Sequence, residues 1–249
     1  MTSRNGSNIV PVMNTLADTH FHLTDAPFRD EPDRVIARCR DAGVDAVVVP
    51  GYSVEAAAIQ ETLCSRFPEV SPAVGIHPMF RPKNLDLAHF LVSTAERLHP
   101  VAIGEIGLDD RRDAPPMAVQ IPLLHEQLAF AARRNLPVII HCVQAHGECL
   151  RILTEFVEDT PDILPGRRGV IHRASCSVET ARQYADLGLF FSIGPDIFDE
   201  RRHRLRELAE WIPDDRLLLE TDAPYAKTRS GKVAGPWDLH EVAATLADL

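Results

Sequence analysis

Residues 101–107, VAIGEIG, and 137–142, PVIIHC, flank residues 117–134, MAVQIPLLHEQLAFAARR. The two short segments are apolar runs of strand length, while the stretch between them repeats its apolar positions at helical spacing. Two strands joined through a helix run parallel, because the crossover returns the chain to the edge from which it left. Parallel strands are covered on both faces, so they read as continuous apolar runs, as these do.

The same unit recurs from end to end. Candidate strands are Leu16–Leu23, Asp45–Pro50, Pro72–His77, Val101–Gly107, Pro137–Cys142, Gly169–His172, Leu189–Gly194 and Leu217–Asp222. Helical patterns occupy Pro32–Asp41, Val54–Arg66, Leu87–Leu98, Met117–Arg134, His146–Glu158, Val178–Leu187, Arg201–Trp211 and Asp238–Leu249. Ser53 and Ser177 stand where N-caps belong, and Gly43 and Gly188 where a left-handed residue closes a helix. Eight repeats predict an α/β fold, a single (β/α)8 TIM barrel, rather than an open doubly wound sheet. Neither G-x-G-x-x-G nor G-x-x-x-x-G-K-[ST] occurs, which excludes the common phosphate loops. Residues 13–249 are expected to form the one domain, preceded by a flexible polar tail over 1–12.

The chain of 249 residues carries a net charge of −10. Affinity for polyphosphate scales with cationic contacts, so this charge excludes a broad nucleic-acid-binding surface but not a local one. No run approaches the ~20 apolar residues that span a bilayer, and the polar start lacks a leader's apolar stretch. Five cysteines without a Cys-x-x-Cys predict reduced, buried thiols and a cytoplasmic protein. Cys142 and Cys176 neighbour histidines, but the sequence specifies neither a base nor an orienting group for a thiol nucleophile.

Barrel enzymes keep their chemistry at the C-terminal ends of the strands. Those ends carry His20 and His22, then His77, Glu105, His141, His172 and Asp222. His20 and His22, two apart on an extended chain, point the same way. Strand alternation also puts Val101, Ile103 and Glu105 on one face, and Leu218, Glu220 and Asp222 on another. A carboxylate on a buried stripe needs a cation or a hydrogen-bond partner. Four of these imidazoles with the two carboxylates already exceed the four ligands of a closed zinc site. Two ions sharing a carboxylate fit the count, and such a pair activates water for hydrolysis. The mixed N/O donors leave Mg2+, Mn2+ and Zn2+ open.

Five blocks now stand out: Asp18–Leu23, Val74–Pro78, Ile103–Asp109, Leu136–His141 and Glu220–Tyr225. In content and order they resemble the signature blocks of TatD-type metal-dependent hydrolases of the amidohydrolase superfamily. The resemblance implies divalent-metal-dependent cleavage of phosphodiester bonds, with single-stranded DNA or 3′ ends as partner and commonly 3′→5′ exonucleolytic action. Matched by position, His20, His22 and Asp222 would hold one ion and His141 and His172 the other, with Glu105 bridging. Asp222 would serve as the base toward the attacking water. His77 would meet the substrate phosphate, and Asp109 and Glu220 match acidic positions that support substrate binding.

Several positions depart from the family pattern. Val143 and Gln144 stand where a cation is usual, Asp110 where an aromatic is common, and His172-Arg-Ala-Ser-Cys176 replaces the usual sixth-strand block. Arg173, Arg111, Arg112 and Lys227 are the cations left to meet phosphate. These losses favour, as an alternative, a small-molecule amidohydrolase or phosphodiesterase. The early stop at Leu249 favours a third reading, a subunit whose C-terminal side is covered by a protein partner.

Overall fold

A computed structural model describes residues 15–80, 84–160 and 168–249. The strands are β1 (Leu16–Asp18), β2 (Val44–Val49), β3 (Val70–Val74), β4 (Ala102–Asp109), β5 (Val138–Val143), β6 (Gly169–Ile171), β7 (Phe190–Ile193) and β8 (Leu217–Leu219). Between and after them run α1 (Pro32–Asp41), α2 (Val54–Arg66), α3 (Leu87–Leu98), α4 (Met117–Arg134), α5 (His146–Asp159), α6 (Val178–Asp186), α7 (His203–Trp211) and α8 (Leu239–Ala247). The strands pair in sequence order, every pair parallel. The seam between β8 and β1 is bridged just past β1. There the Thr19 amide and hydroxyl both donate to the Leu219 carbonyl, at 3.0 and 2.8 Å. The result is the expected (β/α)8 barrel. The tail expected over residues 1–12 lies outside the described residues, and no described helix is long and apolar enough to cross a membrane.

Local signals account for the helices. Ser53 Oγ accepts the Ala56 amide at 3.1 Å and Ser177 Oγ the Thr180 amide at 3.2 Å, each cap contributing about 1 kcal/mol. Gly43 and Gly188 take φ of 70° and 79°, where a Cβ would be strained. Cys39, Cys142, Cys149 and Cys176 are buried free thiols, and Cys64 is half-buried.

The barrel has two apolar layers. One cluster is made of strand residues only: Ala73, Ala102, Ile139 and Val170, with Val48, Phe190 and Leu218 against them. This is the interior of the barrel. A far larger cluster joins the outer strand faces to the helices, and Ile103 belongs to it. Ile103 and Glu105 therefore do not share a face, contrary to the alternation read from sequence. The register between β4 and β5 slips between Ile103 and Ile106. Such a bulge inserts one residue and reverses the facing of everything beyond it. Val101 is also 45% exposed and precedes the strand.

Strands 1, 3, 6 and 8 end earlier than the apolar runs imply, so His20, His22, His77, His172, Glu220 and Asp222 lie on the segments just beyond. Alternation still holds after β1, because Thr19 N–H bonds toward β8 and Phe21 N–H toward Val48 in β2. Phe21 consequently packs outward against Phe28, leaving His20 and His22 inward. Asp222 arrives differently. Its φ of 48° turns its side chain into the mouth at a point where strand alternation has stopped.

Candidate metal centre

Glu105, carried inward by the β4 bulge, stands at the middle of the barrel mouth. Its two oxygens face different partners. Oε2 lies 3.3 Å from His20 Nε2 and 3.7 Å from His22 Nε2. Oε1 lies 2.9 Å from His141 Nδ1, 3.0 Å from His172 Nε2 and 3.4 Å from His77 Nε2. Asp222 Oδ1 completes the first side, 3.4 Å from His22 Nε2 and 3.8 Å from His20 Nε2. The six residues expected as ligands, with His77, thus meet in one place.

The side of His20, His22 and Asp222 calls for a cation. The Nε2 atoms of His20 and His22 are 3.2 Å apart, and their Nδ1 atoms are buried without a hydrogen-bond partner among the described residues. Lone pairs from two imidazoles and two carboxylates converging on one point repel unless a positive charge sits among them. Two nitrogens bound to one ion at about 2 Å would be roughly 3.3 Å apart, which the observed spacing matches. The potential donor atoms of His20, His22 and Asp222 all lie within 4.8 Å of one another, as do those of His77, Glu105 and His141 and of His20, His172 and Glu220.

On the other side each imidazole is caught between two acids. His141 Nε2 lies 2.9 Å from Asp109 Oδ2 while Nδ1 faces Glu105. His172 Nδ1 lies 3.6 Å from Glu220 Oε2 while Nε2 faces Glu105. Asp109, by taking the His141 ring N–H, leaves the opposite lone pair facing Glu105, while His172 Nδ1 is buried without a hydrogen-bond partner among the described residues. Asp109 and Glu220, read from sequence as acids in a supporting role, are fully buried and sit behind these histidines.

The charges follow. Burial acts to raise the Glu105 carboxyl, but His172, His77 and His20 hold it well below the ordinary range. Burial likewise works against Asp222, yet the His22 hydrogen bond and nearby imidazoles bring it down to about 2. Burial acts to lower His172, and Glu105 and Glu220 more than reverse it. For His77 burial prevails and the shift is downward. His77 Nδ1 accepts the Met79 amide at 3.1 Å, so the neutral ring carries its proton on Nε2, toward Glu105.

Supports that sequence did not mark hold this arrangement. Gln120 and Gln127, seven apart on α4, each pair with a main-chain amide and carbonyl. Gln120 takes those of Asp109 (2.8 and 2.7 Å) and Gln127 those of Ile76 (2.7 and 3.1 Å). Two buried amides on one helix face were the available signal. Asp18, pushed by burial up to about 7, accepts the amides of His20 and Thr221 at 3.1 and 3.0 Å, tying the His20–His22 segment to the one that carries Asp222. Gln144, Arg173 and Asp222, all just past strand ends, have φ of 56°, 46° and 48°. Such strain, of order 1–3 kcal/mol per residue, gathers where function demands it. Cys142 does have a partner: His146 Nδ1 is 3.2 Å from its Sγ and 3.1 Å from Tyr184 Oη.

Above the centre opens a cavity of about 500 Å³. One wall is aromatic. Tyr52 and Phe80, with ring centroids 5.4 Å apart, and Tyr225 line it. The hydroxyls of both tyrosines donate to the two oxygens of Asp25, that of Tyr225 at 2.6 Å. The aromatics missing from the positions compared in sequence are thus supplied from other loops. The opposite wall holds Arg111, Arg173 and Arg202. Arg111 is paired with Asp109, its Nη2 2.5 Å from Oδ2. Arg112 and Lys227 do not line the cavity.

A family model described as "TatD related DNase" matches residues 17–249. The 3′-5′ ssDNA/RNA exonuclease TatD of Dickeya dadantii (strain 3937) is 36% identical over 215 residues, covering 85% of this chain and 79% of that protein. The uncharacterized metal-dependent hydrolase YjjV of Escherichia coli (strain K12) is 34% identical over 210 residues, covering 83% and 78%. A crystal structure of YjjV, a TatD homologue from E. coli K12, superposes with a TM-score of 0.85 at 33% identity, over 94% of this chain and 89% of that one.

Proposed function

The chain belongs to the TatD-related DNase family, and from that premise we propose that it is a metal-dependent hydrolase removing nucleotides from the 3′ end of single-stranded nucleic acid. The observation that carries this reading is the division of Glu105, one oxygen to each group of imidazoles. His20, His22 and Asp222 would hold one divalent ion and His141 and His172 a second, with Glu105 between them. A pair of such ions acidifies water and offsets charge building on a phosphoryl group.

The chain's own residues supply the rest. Asp222, ionised at every pH above about 2, accepts the proton of the attacking water. His77, with its proton on Nε2, donates to a phosphoryl oxygen. Asp109 and Glu220 fix the rings of His141 and His172 from behind. The aromatic wall offers Tyr52, Phe80 and Tyr225 as stacking faces, which serve any base because every base has a π-face.

The test compares single-stranded oligonucleotides labelled at either end, with Mg2+, Mn2+ or Zn2+. Shortening from the 3′ end, abolished by EDTA and by Asp222→Ala, is the expected outcome. Intact strands under every ion, from protein shown to be metal-loaded, would overturn the reading. Turnover of chromogenic phosphodiesters without turnover of strands would favour the small-molecule alternative.

A further inference from the structure

Resting on this reading of the cavity, we propose that Arg173 and Arg202, set side by side by Asp196, clamp the phosphate next to the scissile one. Asp196 lies in the short helical turn Pro195–Phe198 after β7. Its Oδ2 accepts from both guanidiniums, Arg173 Nε at 2.8 Å and Arg202 Nη1 at 3.1 Å. One carboxylate oxygen therefore gathers two cations that come from different loops, one after β6 and one just ahead of α7. Both line the cavity.

Arg173 is held at its other end too, where Nη1 donates to Asp222 Oδ2 at 2.7 Å. Its backbone is fixed by the Glu220 carboxylate, which accepts the Arg173 amide at 2.6 Å. A guanidinium pinned this way has given up its rotamer freedom before any ligand arrives, so little is lost on binding. Arg173 Nη2 and Arg202 Nε and Nη2 have no partner among the described residues. The side chains are 36% and 46% exposed and line the cavity. Paired planar donors match the non-bridging oxygens of a phosphodiester.

The position follows from the contacts. Arg173 touches Asp222 in the metal centre, whereas Arg202 touches Asp196 and none of the metal-centre residues. An anion held between the two is displaced from Glu105 toward Arg202, which suits the neighbouring linkage of a strand rather than the bond being cut.

The test replaces one phosphate at a time by an uncharged methylphosphonate, at each of the three linkages nearest the 3′ end. Affinity is read by anisotropy of labelled single strands in EDTA, and KM and kcat with metal-loaded protein. One replacement should weaken wild-type binding about tenfold, and Arg202→Gln should weaken binding of the natural strand similarly. Combined, the two losses should not add, since both delete one contact. The salt slope of Arg202→Gln should fall by about 0.7, and KM should rise more than kcat falls. Asp196→Asn, which frees both arginines without removing either, should raise KM as well. Full additivity at all three linkages would overturn the clamp while wild-type cleavage left the phosphodiesterase reading standing. A wild-type protein that neither binds nor cuts the natural strand would remove both.

Discussion

The floor of the cavity and its walls follow different rules. On the floor the functional side chains come from several strand ends, are nearly or fully buried, and each touches several others. Glu105 alone meets five imidazoles. On the walls a single aspartate grips a pair: Asp25 takes two tyrosine hydroxyls, and Asp196 takes two guanidiniums. The wall's rings stay open to solvent, with Phe80 and Tyr225 50% and 56% exposed, although Asp25 beneath the tyrosine hydroxyls is buried. In the dry floor a missing partner leaves an uncompensated buried charge, whereas at the wet wall water takes its place. Losses should therefore be larger below than above.

That contrast is open to attack, starting with the largest effect. Glu105→Gln should lower kcat by at least about a thousandfold, since an amide NH2 faces imidazole nitrogens where a shared anion is needed. A loss under tenfold in steady-state assays would erase the distinction between floor and wall. Asp109→Ala should cost about 10- to 100-fold in metal affinity or activity, because His141 loses the acceptor that sets its tautomer. Titration calorimetry with Mn2+ measures it.

Acid–base linkage sharpens the same point. His172 is raised well above its usual range by Glu105 and Glu220, against the burial that opposes it, so the metal-free ring favours its protonated form. Metal requires the neutral ring, so binding must release that proton, and affinity should climb as pH rises toward the elevated value. Calorimetry in buffers of different ionisation enthalpy would reveal the release, and its absence at pH 7 would count against His172 as a ligand.

Wall variants should sit lower on the scale. Tyr52→Ala should raise KM by an amount consistent with about 1–3 kcal/mol for one stacked base, with kcat changing less. The smallest effect is expected from Asp25→Asn, a few-fold on KM through loosened tyrosine hydroxyls. An Asp25 variant as inactive as Glu105→Gln would show that the walls are part of the floor.

Much of the floor was legible in the sequence because strand ends advertise chemistry: His20 with His22, His141, His172 and Asp222 break apolar runs. Helices α1 to α4 agree with their patterns at both ends, since caps and apolar spacing are local. What failed was nonlocal. The β4 bulge that turns Glu105 inward arises from its pairing with β5, and no property of Ile103–Glu105 alone announces it. The short strands beneath His77 and Asp222 end where backbone partners change. Gln120, Gln127, Asp25 and Asp196 act on residues from other loops, and a single chain read in order does not show which loops meet. The aromatic wall is an instance: Tyr52, Phe80 and Tyr225 are unremarkable until the barrel brings them together.

The central claim is that Glu105 stands between two metal positions. Electron paramagnetic resonance of the Mn2+-saturated protein tests it directly. Two ions bridged by one carboxylate should give an exchange-coupled spectrum, replaced in Glu105→Ala by the sextet of isolated Mn2+. An isolated-ion sextet from the wild type at saturation, with one Mn2+ bound per chain, would contradict it.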